Sequence, residues 1–168
     1  MNKLIVLSGV PGSGKSYISI LLKEKKRDGH IYVVSSDKLR AQVGGNQQNF
    51  SNERLIWKMY YQMAKIYAYD KNGIVVLDST NAQRKYRIDA VREVAKYFDE
   101  VDLVLFKLDK VTVMRQNLDR DYPIPSEALE RLLNEFEPVN EEDEEFFDNI
   151  YYVDQRDLNP IINKILEK

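Results

Sequence analysis

The 168-residue chain contains no cysteine, so disulfides, thiolate metal sites and cysteine nucleophiles are excluded. It has one histidine, His30, which excludes a histidine triad and a multi-histidine metal cluster. With seven glycines and five prolines it carries no Gly/Pro-rich linker, internal repeat or low-complexity tract, and one domain over residues 1–168 is expected. No apolar run approaches the roughly 20 residues of a membrane-spanning helix. The Met1–Asn2–Lys3 start leads into a strand-like run rather than a signal peptide, which reads as a soluble, cytoplasmic protein. The 43% hydrophobic and 31% charged residues are ordinary globular values. A chain this long buries roughly 70% of its unfolded surface and needs no staples.

The formal net charge of −2 is unevenly distributed. Eight acids and no base fall between Glu135 and Asp148; outside that run 25 basic residues face 19 acidic ones, a net of +6. An anionic substrate is therefore compatible with the composition, while strong non-specific binding to nucleic acid is disfavoured. The acidic run reads as a solvated loop or helix face, with repulsion of wrong polyanions as the alternative.

Short β-branched runs alternate with longer amphipathic ones. Strands are expected at Leu4–Leu7, Ile31–Val34, Ile74–Leu77, Leu103–Phe106 and Ile150–Val153, and their nearly continuous apolar character suits a sheet buried on both faces. Helices are expected over Lys15 to about Lys26, Asp37–Val43, Glu53–Tyr69, Gln83–Tyr97, Val111–Arg120, Ser126–Phe136 and from Leu158. Leu55, Met59, Met63 and Tyr67, with Ile56 and Tyr60, read as the core stripe of the third helix. Trp57 and Tyr61 lie off that stripe. The pattern predicts a three-layer α/β/α sandwich with a central, mainly parallel five-stranded sheet and ligands at the carboxyl ends of its strands.

The first strand runs into Gly9-Val10-Pro11-Gly12-Ser13-Gly14-Lys15-Ser16, which satisfies G-x-x-x-x-G-K-[ST] at every fixed position. Glycines let backbone N–H groups converge on phosphate oxygens, and the helix opening near Lys15 and Tyr17 adds its positive dipole end. Lys15 supplies a cation for the β- and γ-phosphates, and the Ser16 hydroxyl is a hard ligand suited to Mg²⁺. The donor is ATP or GTP, with Gln155 and Arg156, after the last strand, as candidates for holding its base.

The second strand ends in Ser35-Ser36-Asp37-Lys38-Leu39-Arg40. Taken alone, Asp37 reads first as a helix-capping acid; at the carboxyl end of a strand expected to neighbour the phosphate loop, it also suits a general base on an acceptor hydroxyl. Arg40, at i+3, shares a helix face with it and suits an acceptor phosphate. The third strand ends in Asp78-Ser79-Thr80-Asn81, where Asp78 stands like a Walker-B acid, able to reach the metal shell or orient Arg40. Thr80 and Asn81 are caps, loop-fixing groups or acceptor contacts. Basic Arg84, Lys85 and Arg87 follow and are candidates to line an acceptor groove. Residues 111–126, with Arg115 and Arg120 on a helix running into a proline-punctuated loop, read as a lid able to bring an arginine to a transferring phosphoryl group, against the alternative of a solvated helix with Asp–Arg pairs.

Gly9–Ser16, Asp37-x-x-Arg40, Asp78-x-Thr80-Asn81, the Arg115–Arg120 segment and Pro125…Leu129…Phe136-Glu137-Pro138 together resemble the polynucleotide 5′-hydroxyl kinase domain family over roughly residues 1–138. The resemblance implies a P-loop kinase fold with a helical lid and a Mg²⁺-dependent transfer of the γ-phosphate to the 5′-hydroxyl of DNA or RNA. It implies phosphate binding by Lys15, metal binding by Ser16 and Asp78, base catalysis by Asp37, acceptor or phosphate contact by Arg40 and a lid arginine at Arg120. A second lid arginine would immediately precede Asn117, where this sequence has Gln116, with Arg115 one place earlier. One residue rotates a helical side chain by about 100°. The downstream phosphatase domain that the resemblance would invite is not expected within this sequence. Two other readings remain: the same chemistry on a nucleoside, sugar, antibiotic or other small hydroxyl compound, and a nucleotide-binding regulatory module. Trp57, Tyr60 and Tyr61 are candidate base-stacking residues, with core packing as the alternative, and Gly44–Phe50 is either a loop over the acceptor or a plain connection.

Overall fold

In the computed structural model, which describes residues 1–154 and 157–167, five strands form one sheet among the described residues. In chain order the elements are β1 (Lys3–Ser8), α1 (Lys15–Lys25), β2 (Ile31–Ser35), α2 (Ser36–Gly44), α3 (Glu53–Tyr67), β3 (Ile74–Asp78), α4 (Arg84–Val94), a 3-10 turn (Ala95–Tyr97), β4 (Glu100–Phe106), α5 (Lys110–Leu118), α6 (Ser126–Glu135), α7 (Glu141–Phe146), β5 (Asn149–Val153) and α8 (Asn159–Leu166). The order across the sheet is β2-β3-β1-β4-β5 and every pairing is parallel. This is the α/β sandwich of P-loop kinases, with a sheet that is wholly rather than mainly parallel.

Alternation along β1 explains the layers. Leu4 and Val6 face a core completed by Ile56, Tyr60 and Ala64 of α3 and by Ala90, Val91 and Val94 of α4. Ile5 and Leu7 face the opposite core, with Ile18 and Leu22 of α1 and Ile162 and Ile165 of α8. Both faces are therefore dry, as the apolar strand runs require. A third, smaller cluster joins Val10 of the phosphate loop to Val113 of α5 and Leu129 of α6.

Four expectations change. The strand preceding Asp37 does not neighbour β1, because β3 lies between them. Asp78 therefore stands beside the phosphate loop and Asp37 one strand further out, with Ser35 and Asp78 level in the register. On α3 Ile56 and Tyr60 are buried as expected, joined by Ala64, and Met59, Met63 and Tyr67 pack half-buried at the edge of that core, while Leu55 is exposed, so the stripe is centred on Ile56–Tyr60–Ala64. The acidic run is not all solvated: Asn140 and Asp143 form a capping box that starts α7, and Asp143 is fully buried against Arg84 and Arg87. Arg87 is fully buried too, and also donates to the carbonyls of Ala82, Glu137 and Pro138. Those contacts take Arg84 and Arg87 out of any acceptor groove and make them the tie between α4 and α7.

Candidate active site

At the carboxyl ends of β1, β2 and β3 lies a cleft of about 1250 Å³, larger than the roughly 300–1,000 Å³ of ordinary ligand pockets. The phosphate loop forms its floor. The Gly9 N–H donates to the Thr80 carbonyl (2.9 Å), which ties the loop to the end of β3. Gly12 and Gly14 adopt φ of +85° and +90°, where a side chain is strained, and Gly14 caps α1 without any side-chain bond. The first N–H groups of α1 and its dipole are thus directed at the space above the loop. Lys15 Nζ donates to the Val10 carbonyl (3.4 Å). Burial pushes the Lys15 ammonium below its ordinary pKa, Asp78 and Asp37 pull it back up, and Arg120 pushes it down. Those four charges share one field.

Ser16 Oγ donates to Asp78 Oδ2 at 2.8 Å, and Asp78 is buried at the end of its strand. A hydroxyl and a carboxylate side by side, next to where phosphates would lie, make a fitting oxygen set for a Mg²⁺ ion that keeps its remaining positions for phosphate and water.

Ser35 is the cap of α2: its Oγ accepts from the Lys38 N–H (3.2 Å). Asp37 is thereby free of capping. Its side chain is 46% exposed, and its carboxylate meets Arg40 Nη1 at 3.0 Å and Arg120 Nη2 at 3.8 Å. Arg40 is nearly buried and is gripped by a residue with no motif around it: Nε and Nη2 donate to the two carboxylate oxygens of Glu53 at 2.7 and 3.0 Å. Phe50 covers the guanidinium, 4.6 Å from its ring centroid, and Trp57 Nε1 donates to Glu53 (3.1 Å). Asp78 does not orient Arg40; Glu53, at the start of α3, does. Long-range side-chain pairing of this kind leaves no local sequence signal.

The remaining predicted residues divide. Thr80 and Tyr17 line the cleft. Asn81 does not offer its amide to an acceptor: Nδ2 donates to the Leu7 carbonyl (2.9 Å), its own carbonyl accepts from Ser8 Oγ (2.8 Å), and its φ of +43° suits a turn that asparagine tolerates. It is a loop-fixing group. Arg115 is exposed and absent from the cleft lining, whereas Gln116 and Arg120 both line it, so the nucleotide-binding expectation for Arg115 fails by that single-residue rotation. Gln155 and Arg156 lie outside the described residues; Val153 and Leu158 on either side line the cleft. Tyr60 is buried, with its hydroxyl on Ser79 (3.2 Å), and Trp57 and Tyr61 pack half-buried around it, so Tyr60 cannot stack a base. The exposed aromatics of the cleft are instead Tyr17, Phe50, Tyr86 and Tyr122.

This fold and phosphate loop define a P-loop kinase architecture, built to bind a nucleoside triphosphate. The family model described as "AAA domain" matches residues 4–139, and the chain belongs to that family. The 2′,3′-cyclic-nucleotide 3′-phosphodiesterase of Rattus norvegicus is 34% identical over 95 residues, covering 56% of this chain and 21% of that protein. The chain thus spans about a fifth of the length of this curated relative. Among solved structures, a gluconokinase from Sinorhizobium meliloti superposes with a TM-score of 0.63 at 21% identity, covering 98% of this chain and 89% of the other. A fungal RNA kinase superposes with a TM-score of 0.64 at 12% identity, covering 93% and 76%. At those identities the likeness is one of fold.

Proposed function

We propose that the chain transfers the γ-phosphate of ATP or GTP to the 5′-hydroxyl of a polynucleotide, DNA or RNA. The observation that carries the reading is the setting of Asp37. It is an exposed carboxylate in the triphosphate cleft, relieved of capping by Ser35 and flanked by Arg40 and Arg120. Such a carboxylate accepts the proton of the acceptor hydroxyl as the new P–O bond forms and the bond to the β,γ-bridging oxygen breaks, leaving ADP or GDP. Arg40, held by Glu53, fixes Asp37 with its Nη1 edge. Acceptor phosphate held by that same edge would stand beside the base. Lys15 and Arg120 carry the charge spread over the moving phosphoryl group. Ser16 and Asp78 would hold Mg²⁺, which supplies further neutralisation of the phosphates when bound. Thr80, which lines the cleft, is a candidate acceptor contact.

A polynucleotide, rather than a sugar, is supported by the size of the cleft and by three exposed aromatics that line it: Tyr86 of α4, and Phe50 and Tyr122 in the loops before α3 and after α5. A small hydroxyl acceptor is the second reading, because the fold also serves a gluconokinase. Transfer of label from γ-labelled ATP in the presence of Mg²⁺, to 5′-OH oligonucleotides beside a panel of nucleosides and sugars, separates the two. Label confined to a small molecule would retain the chemistry and replace the acceptor. The described part of the chain has no helix long and apolar enough to cross a membrane.

A further inference from the structure

We infer that Asn117 is the residue that positions Arg120, by pinning the loop that carries it to the phosphate loop. The inference rests on the phosphotransfer reading above, for any acceptor. Asn117 is almost completely buried near the end of α5. Its side-chain amide closes on both main-chain groups of Ile124: Nδ2 donates to the Ile124 carbonyl at 2.8 Å, and the Ile124 N–H donates to Oδ1 at 2.9 Å. An amide presents a donor and an acceptor side by side, so here it substitutes for a neighbouring strand. Ile124 lies between Pro123 and Pro125, neither of which has an N–H, so Asn117 captures the single donor of that segment. The Asn117 carbonyl accepts the Arg120 N–H (3.2 Å). One residue thus holds both the start and the end of the arc 118–124.

The other side of Asn117 faces the phosphate loop. A Cβ placed on Gly12 would stand 3.1 Å from the Asn117 N, 3.3 Å from its Cα and 2.9 Å from the Val113 carbonyl. Helix and loop therefore meet backbone to backbone, sealed by Val10, Val113 and Leu129. Between its two ends the arc is poorly anchored: Leu118, Asp119, Asp121 and Tyr122 are exposed. Arg120 reaches across to Asp37 at only 3.8 Å, too far for a hydrogen bond to hold it. The place of the Arg120 guanidinium relative to the bound phosphates is consequently set through Asn117, which touches no reacting atom and is a positioning residue.

The test is a cycle of Asn117→Ala, Arg120→Ala and the double variant, read as single-turnover transfer and, separately, as nucleotide affinity. If Asn117 acts through Arg120, each single change slows transfer by about 10²-fold, nucleotide affinity changes little, and the double variant is no slower than Arg120→Ala alone. Losses that multiply would show that Asn117 only supports the fold and would overturn the inference, as would wild-type turnover in Asn117→Ala. Asn117→Asp, which keeps the side-chain volume and the acceptor but sets a carboxylate against the Ile124 carbonyl, carries the same comparison if the alanine variant does not fold. Amide hydrogen exchange at Ile124 gives a readout independent of catalysis. It is expected to be slow in the native chain and fast in Asn117→Ala, with a smaller change in Asn117→Asp, which keeps the acceptor of that N–H; unchanged exchange in Asn117→Ala would again overturn the pinning. Released exchange together with an Arg120→Ala variant of full activity would sink the transfer role given to Arg120 and leave the pinning in place.

Discussion

Arg40 and Glu53 form a two-pronged pair, Nε to Oε1 at 2.7 Å and Nη2 to Oε2 at 3.0 Å, across 13 residues of sequence. The consequence is directional. With that edge taken, the Nη1 edge is the one turned toward Asp37, so the orientation of the candidate base depends on an acid in the next helix. Glu53→Gln keeps the shape and loses the charge. It should slow transfer while leaving nucleotide affinity unchanged, and cost about 2 kcal/mol of stability, below the 3–5 of a fully buried pair because Glu53 is partly solvated. Steady-state kinetics with nucleotide titration checks it; full activity would remove Glu53 from the account.

Ser35 and Asp37 divide capping and chemistry between them. Ser35→Ala should destabilise the protein by about 1 kcal/mol with modest effect on transfer. Asp37→Asn should do the reverse, since it removes no cap. Thermal melts and turnover measured on both variants check the division, and a large loss of stability in Asp37→Asn would return Asp37 to a structural role.

Lys15→Ala should abolish transfer and weaken triphosphate binding more than diphosphate binding. In the proposed reaction its ammonium would meet the β- and γ-phosphates. Calorimetric titration of both nucleotides decides; equal losses would mean that Lys15 acts on the loop rather than on the γ-phosphate.

The exposed rings of Tyr86 and Tyr122 should contribute to acceptor affinity by stacking, at about 1–3 kcal/mol per base. Oligonucleotides with abasic positions next to the 5′ end should bind the native chain more weakly. For Tyr86→Ala and Tyr122→Ala the abasic substitution should make much less difference. Anisotropy of labelled oligonucleotides reads this, and an unchanged abasic penalty in both variants would argue against the aromatic contacts.

Asp102 is fully buried in β4, hydrogen bonded on one oxygen by Asn149 Nδ2 (2.8 Å), and burial raises its pKa to about 7. The unfolded value is about 3.9. Between those two values the folded state holds the extra proton, so this group's contribution favours folding below about pH 4 and is lost as pH rises through about 7. Asp102→Asn should therefore raise the melting temperature more at pH 8 than at pH 5. A pH-independent difference would contradict the assignment.

Much of the architecture was readable in the chain. The five strands are signalled by continuous apolar runs, and the phosphate loop by fixed residue types in a strand–loop–helix setting. Strand order was less accessible: the sequence places Asp37 after a strand but says nothing of β3 inserting between β2 and β1. Partner choice was inaccessible for a related reason. Glu53 gripping Arg40, and Asp143 buried on Arg87, are contacts across 13 and 56 residues that no local pattern encodes. Arg115 and Gln116 show the finer limit, since one residue of helical phase decides which side chain enters the cleft.

The most direct test of the central claim is label transfer from γ-labelled ATP with Mg²⁺ to 5′-OH DNA and RNA oligonucleotides, by the native chain and by Asp37→Asn. The account predicts label on the 5′ end with the native chain and its loss in the variant, with nucleotide affinity retained. Tight ATP binding without transfer to any oligonucleotide, or transfer that survives Asp37→Asn, would contradict it.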